Sequence, residues 1–179
     1  SYQIHSTPDN ISSTNTIARM IDGLLFRYYW ATEGLTESDY NFRPVESSMS
    51  MMELQMHIYD LAFITNKTYG GNPTYKKEYL TSFDSAKQET LRLYEDLSKR
   101  LKTMQNDNEL NNFRVNPKSV EGDFPFWYTL NGHIADCLTH IGQLISWRRI
   151  NGNPQPKGVN VFLMQEAHNL SSVNFTGIL

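Results

Sequence analysis

The 179 residues carry 16 Lys and Arg against 19 Asp and Glu, a formal net charge of −3, with 39% hydrophobic and 20% charged residues. A chain of this size buries roughly 70% of its unfolded surface, enough for one full core and a single domain over 1–179, and its composition excludes a disordered chain. The slight acidic excess argues against nucleic-acid binding driven by bulk charge, and the single cysteine excludes an internal disulfide or a multi-cysteine zinc site.

Residues 1–11 read as an irregular lead-in, without the basic-then-apolar pattern of a signal segment. The chain does not begin with Met, so the compartment stays open, with the cytoplasm favoured. From about Ser12 to Glu33, Ile17, Ile21, Leu24, Tyr28 and Ala31 lay one apolar stripe on a helix that Gly34 stops. Pro44 and the serines after it make a loop. Ser50 with Glu53 is a capping box opening a second helix, whose stripe of Leu54, His57, Leu61, Ile64 and Thr68 runs to Gly70-Gly71. Asn66-Lys67-Thr68 is a glycosylation sequon, meaningful only if the protein is secreted by a eukaryotic cell.

A third helix spans roughly Ser82 to Met104, with Phe83, Ala86, Thr90, Leu93, Leu97 and Leu101 or Met104 inward. Lys87, Glu89, Arg92, Glu95, Asp96, Lys99 and Lys102 read as its solvated face. The polar, Asn-rich stretch 105–121 is a long crossover loop. The fourth helix begins at about Asp123 or Pro125 and ends at Ile150, before Asn151-Gly152-Asn153-Pro154. Residues 151–179 form an irregular tail in which Val159 to Phe162 is extended. No strand pattern supports a sheet, and four helices of this length with one long connection read as an all-α four-helix bundle. The weakly charged run near 124–147 is interrupted by Asn, Gly, His and Asp, which excludes a membrane span.

The fourth helix differs from the others. Between Phe124 and Trp147 its only formally charged side chain is Asp136. Leu130, Ile134, Cys137, Ile141 and Leu144 form one stripe, with His133, Asp136, His140, Gln143 and Trp147 beside it. Gly132, Ala135, Thr139, Gly142 and Ser146, all small, occupy the remaining arc. This distribution predicts a helix enclosed on most sides. An enclosed carboxylate needs a partner; His140 lies one turn from Asp136, and His57 interrupts the core stripe of the second helix. Two imidazoles and one carboxylate from facing helices suit a divalent metal with positions left for water or substrate. The alternative is an internal hydrogen-bond network. His133 reads as a packing residue, Cys137 as a small buried hydrophobe, and the cluster Met49, Met51 and Met52 as core.

The segment from Gly34-Leu35-Thr36 through Asn41-Phe42-Arg43-Pro44, then Met49-Ser50 and Leu54-Gln55-Met56-His57-Ile58, resembles the loop and second helix of the DinB/YfiT-like superfamily of metal-binding bundles. The run Asn131-Gly132-His133-Ile134-Ala135-Asp136-Cys137-Leu138-Thr139-His140-Ile141-Gly142-Gln143, with Arg148-Arg149 and Gly152-Asn153-Pro154, resembles its fourth helix and is the more specific match. The resemblance covers roughly residues 12–165. It implies a bundle of unusual helix order, commonly dimeric, with a divalent metal held by one His of the second helix and two His of the fourth. Carried over, these positions are His57, Asp136 and His140. Asp136 departs from the three-histidine pattern and leaves Zn, Ni, Fe or Mn as candidate ions.

Through that resemblance the expected activity is metal-dependent thiol S-transfer using a low-molecular-weight bacterial thiol, or hydrolysis of a small substrate, with His133, Tyr28 or Tyr59 as proton carrier. The competing expectation is a non-catalytic dimeric bundle that binds a small ligand or a protein partner. Aromatic residues Tyr28, Tyr29, Trp30, Phe126, Trp127 and Tyr128 line a pocket equally well in either case. The small arc of the fourth helix predicts a homodimer contact, since close helix approach needs small side chains; cover by the 105–121 loop or the tail is the alternative.

Overall fold

The computed structural model describes residue 4, residues 9–116 and residues 121–166. The rest of the expected lead-in and tail falls outside these residues. The described chain is mostly helical, with four long helices: α1 (Ser13–Thr32), α3 (Met51–Thr68), α4 (Phe83–Thr103) and α6 (Ala135–Ile150). Two short pieces, α2 (Glu37–Tyr40) and α5 (Trp127–Thr129), lie in the connections. Among the described residues, extended structure is limited to two antiparallel pairs of two-residue strands, β1 (Arg114–Val115) with β2 (Phe124–Pro125) and β3 (Val159–Asn160) with β4 (Gln165–Glu166). Helices account for the fold.

The starts of the helices follow from side-chain chemistry. Ser12 accepts the Asn15 amide at 3.1 Å at the head of α1. At the head of α3 the expected reciprocal box is present: Ser50 Oγ accepts from the Glu53 amide at 3.1 Å, and Glu53 accepts from the Ser50 amide at 2.7 Å. Ser82 caps α4 in the same way. Gly34 follows α1 at φ +74°, a conformation that glycine adopts without steric cost.

The inward stripes of α1 and α4 are buried as the periodicity predicts. α1 packs on α4 and α6, and α3 also packs on α4 and α6. Consecutive long helices α1 and α3 therefore sit across the core from one another, an uncommon arrangement because successive elements usually neighbour each other. The connection carrying α2 joins α1 to α3, and Leu110, between α4 and β1, is buried.

Three features depart from the sequence expectation. Lys87 and Glu89 of α4 are buried at 7% and 9% exposure instead of solvated. Lys87 Nζ donates to Glu33 at 2.8 Å over the Tyr29 ring, and Glu89 is gripped by Arg92 at 2.6 and 2.9 Å. Their long stems cover apolar surface while their heads are paired. Ile64 is exposed, so the buried face of α3 runs through Leu54, Ile58, Leu61, Ala62 and Thr65. The fourth helix is not continuous from Asp123 or Pro125: Phe124–Pro125 is strand, and Leu130–Ile134 is a π-type turn with Gly132 at φ −91°, ψ −108°.

Arg148, near the end of α6, is only 1% exposed. Its guanidinium donates to the carbonyls of Ala31 and Glu33 at 2.9 Å, to Trp30 at 3.3 Å and to Asn153 at 2.7 Å. The closing carbonyls of α1 lie beyond the reach of its own amides, and Arg148 donates to those of Trp30 and Ala31 and to that of Glu33 just past the helix. Asn153 and Asn151 donate in turn to Asp39, each at 2.8 Å.

Burial of Asp39 alone raises its pKa, but hydrogen bonds from Thr36, Asn153 and Asn151 outweigh it and hold the carboxyl below the ordinary value of 3.8. A depressed folded-state pKa contributes stability that is present above the unfolded value and is lost as pH falls through the folded one. Asp39→Asn should therefore cost about 1–2 kcal/mol at pH 7 and flatten the loss of stability below about pH 4. Urea midpoints measured across pH 2–7 test both halves.

Candidate metal centre

α3 and α6 pack side by side, which brings His57 of one against Asp136 and His140 of the other. One ligand-type atom from each of the three residues lies within 4.8 Å of the other two. His57 Nε2 stands 3.6 Å from Asp136 Oδ2, and His140 Nε2 stands 3.4 Å from Asp136 Oδ1. The two imidazole rings meet edge to face, with centroids 4.6 Å apart.

These separations are longer than a good N–H···O bond. They are of the size found between ligands of one ion, with the two imidazoles facing different oxygens of Asp136. Two atoms each about 2.1 Å from one ion at a tetrahedral angle stand about 3.4 Å apart. Two imidazole nitrogens and a carboxylate oxygen also form a donor set used by zinc and by non-haem iron, with coordination positions left open. The residues present fit a divalent ion.

The partner of the second nitrogen of His140 strengthens that fit. Gln143 Oε1 lies 2.7 Å from His140 Nδ1. An amide oxygen only accepts, so this contact requires the tautomer protonated at Nδ1, in which Nε2 keeps its lone pair on the side of Asp136. The sequence placed Gln143 on the polar stripe without a role; its position three residues after His140 was the available signal. Gln143→Leu should weaken divalent-ion binding about 10–100-fold while leaving the helical signal unchanged, measured by calorimetric titration of metal-free protein.

The surroundings correct the picture of an enclosed helix. The side chain of Asp136 is 47% exposed, and Thr139, Gly142, Gln143 and Ser146 are exposed. The low charge of α6 reflects neutral polar and small residues at its surface, and burial is not its cause. The small arc is divided between two concavities. Gly132, Ala135 and Thr139 line a cleft of about 540 Å³ together with Tyr128, His133 and Asp136. Gly142 lies on a second trough, shared with α1.

The cleft gives His133 a place beyond packing. Its ring is part of the wall, with Nδ1 buried and without a hydrogen-bond partner among the described residues. Burial holds its pKa below the usual value of 6.5, against the attraction of Asp136. The other two expected proton carriers point elsewhere. The Tyr28 hydroxyl is fully buried and donates to Gln55 at 2.5 Å, and the Tyr59 hydroxyl accepts the Lys76 amide at 2.8 Å.

Cys137 faces the core at 0% exposure, and burial pushes its thiol up to about 12, so it is neither nucleophile nor ligand. Of the methionines near Ser50, Met51 is buried, Met52 packs on the core and Met49 is exposed. Among the aromatics considered for a pocket, only Tyr128 lines the cleft; Phe126 is buried in the main core and Trp30 in a smaller cluster with Phe26 and Met164. No helix among the described residues is long and apolar enough to cross a membrane. Comparison with protein-family models, with curated proteins and with solved structures gave no match to this chain.

Proposed function

We propose that the chain is a DinB/YfiT-like four-helix bundle whose His57, Asp136 and His140 hold one divalent ion for chemistry on a small molecule. The observation that carries this reading is the convergence of the three donor atoms from two helices, with Gln143 orienting His140. The placement of α1 and α3 across the core supports the bundle type, because the resemblance implies an unusual helix order.

A divalent ion in this position supplies Lewis acidity that lowers the pKa of a bound thiol or water toward neutrality. The chain's own residues do the rest. Asp136 borders the cleft, so a molecule seated there meets the carboxylate of the donor cluster. Tyr128 offers it an aromatic wall, and His133 an imidazole without a hydrogen-bond partner at Nδ1. Thiol S-transfer is the reaction favoured, with hydrolysis of a small substrate as its variant. The exposed small residues of α6 away from the cleft, Gly142 and Ser146, would receive the same helix of a second copy.

Elemental analysis of protein purified without a metal-affinity column tests the centre directly. About one Zn, Ni, Fe or Mn per chain is expected, and a metal-free protein that also takes up none on titration would leave a non-catalytic binding bundle. For the reaction, a chloro-aromatic electrophile should be conjugated to one of several low-molecular-weight thiols faster before chelation than after it. Light scattering at micromolar concentration should return twice the chain mass.

A further inference from the structure

On the side of α6 turned away from the donor cluster, Leu138, Ile141 and Ile145 face α1 across a trough of about 610 Å³. Its size is in the range of small-molecule sites, and among the described residues no acidic side chain lines it. Two arginines of α1, Arg19 and Arg27, do. Neither meets a carboxylate among the described residues, whereas Arg43, Arg92, Arg100 and Arg114 each do. Arg19 also keeps Nη1 buried without a hydrogen-bond partner, an arrangement proteins seldom leave unanswered.

The backbone of α1 is adapted to this pair. Arg27 lies back along the helix, donating from Nη1 to the Gly23 carbonyl at 3.3 Å. A Cβ at residue 23 would stand only 3.3 Å from that same nitrogen. A glycine inside a helix is otherwise a destabilising choice; here it makes room for a guanidinium beside the trough. Folded back by one turn, Arg27 brings its charge toward Arg19, eight residues up the chain.

We infer that this trough binds an amphipathic monocarboxylate, a fatty-acid-like molecule whose head is received by Arg19 and Arg27 and whose chain lies along Leu138 and Ile145. Guanidinium groups suit a carboxylate because their paired N–H groups match its two oxygens. The apolar floor selects a ligand with a hydrocarbon body over a free inorganic anion. The site shares no residue with His57, Asp136 and His140, and does not depend on the metal reading.

Calorimetric titration of the full chain with dodecanoate, below its micelle-forming concentration, tests the site. Saturable binding of one molecule per chain is expected, at least tenfold tighter than binding of dodecanol. Arg19→Gln with Arg27→Gln should weaken dodecanoate at least tenfold and abolish the preference over the alcohol, with the helical signal unchanged. Each single variant serves if the pair fails to fold. Ile145→Glu should weaken both ligands, and His140→Ala should weaken neither. The site is refuted by an absence of saturable binding, by equal affinity for dodecanol, or by unchanged affinity in the arginine variants. Binding to anionic lipid vesicles but not to free dodecanoate would make this a membrane-contact face instead. A two-chain mass that the arginine variants reduce to one chain would make it a contact between copies.

Discussion

His140→Ala should reduce divalent-ion affinity by more than about 100-fold, beyond the 10–100-fold expected when only an orienting partner is lost. The variant removes one of three protein donors and the imidazole that Gln143 holds in place. Its fold should survive, because the buried stripe of Ile134, Cys137, Ile141 and Leu144 lies on a different side of α6. Thermal unfolding gives a readout free of any assumed activity. An ion at 100 times its dissociation constant stabilises the native chain by about 2.7 kcal/mol, so wild-type protein should melt higher with metal than without. The variant should melt at one temperature in both conditions. A retained metal shift in His140→Ala would remove this residue from the ligand set.

Arg148→Ala should destabilise the protein by about 3–5 kcal/mol, among the largest losses a single exchange here can produce. The substitution strips partners from the carbonyls of Trp30, Ala31 and Glu33 and from Asn153. The contacts to Trp30 and Ala31 are buried, so losing the guanidinium leaves those carbonyls poorly compensated. Burial lowers the pKa of Arg148, opposed by Asp39 and Glu33, yet a guanidinium stays charged in either case. Lysine cannot reproduce the fork, so Arg148→Lys should recover less than half of the loss. In urea the midpoint should fall with little change in slope. A loss below about 1 kcal/mol would mean that α1 ends stably without this side chain.

Local signals explain why the helices were legible in the sequence. Ser12, Ser50 and Ser82 are caps that act within three residues, and the stripes of α1 and α4 repeat over five turns. His57, Asp136 and His140 could be grouped because a helix fixes which residues share a face. The misreadings concern what lies opposite a face. Nothing local distinguishes Lys87 from Lys99, since only the position of Glu33 at the end of another helix makes burial of Lys87 tolerable. The burial of Arg148 had no local signal either, because its partners Ala31 and Glu33 lie at the end of another helix. The turn at Leu130–Ile134 was hidden because His133 and Ile134 keep helical spacing while Gly132 alone leaves helical geometry.

Placing α1 across the core from α3 has a consequence for how the chain acquires its shape. The first two long helices cannot zip together as they emerge, because neither is the other's neighbour. The earliest pair to form should be α3 with α4, which are consecutive and packed together, while α1 waits for partners further along the chain. Contacts of long sequence separation delay folding, so this topology should fold more slowly than an up-and-down bundle of equal length. The donor cluster joins residue 57 to residues 136 and 140 and therefore closes only when the last helix docks. An ion held there would mark the completion of folding, and its release on unfolding would coincide with the undocking of α6.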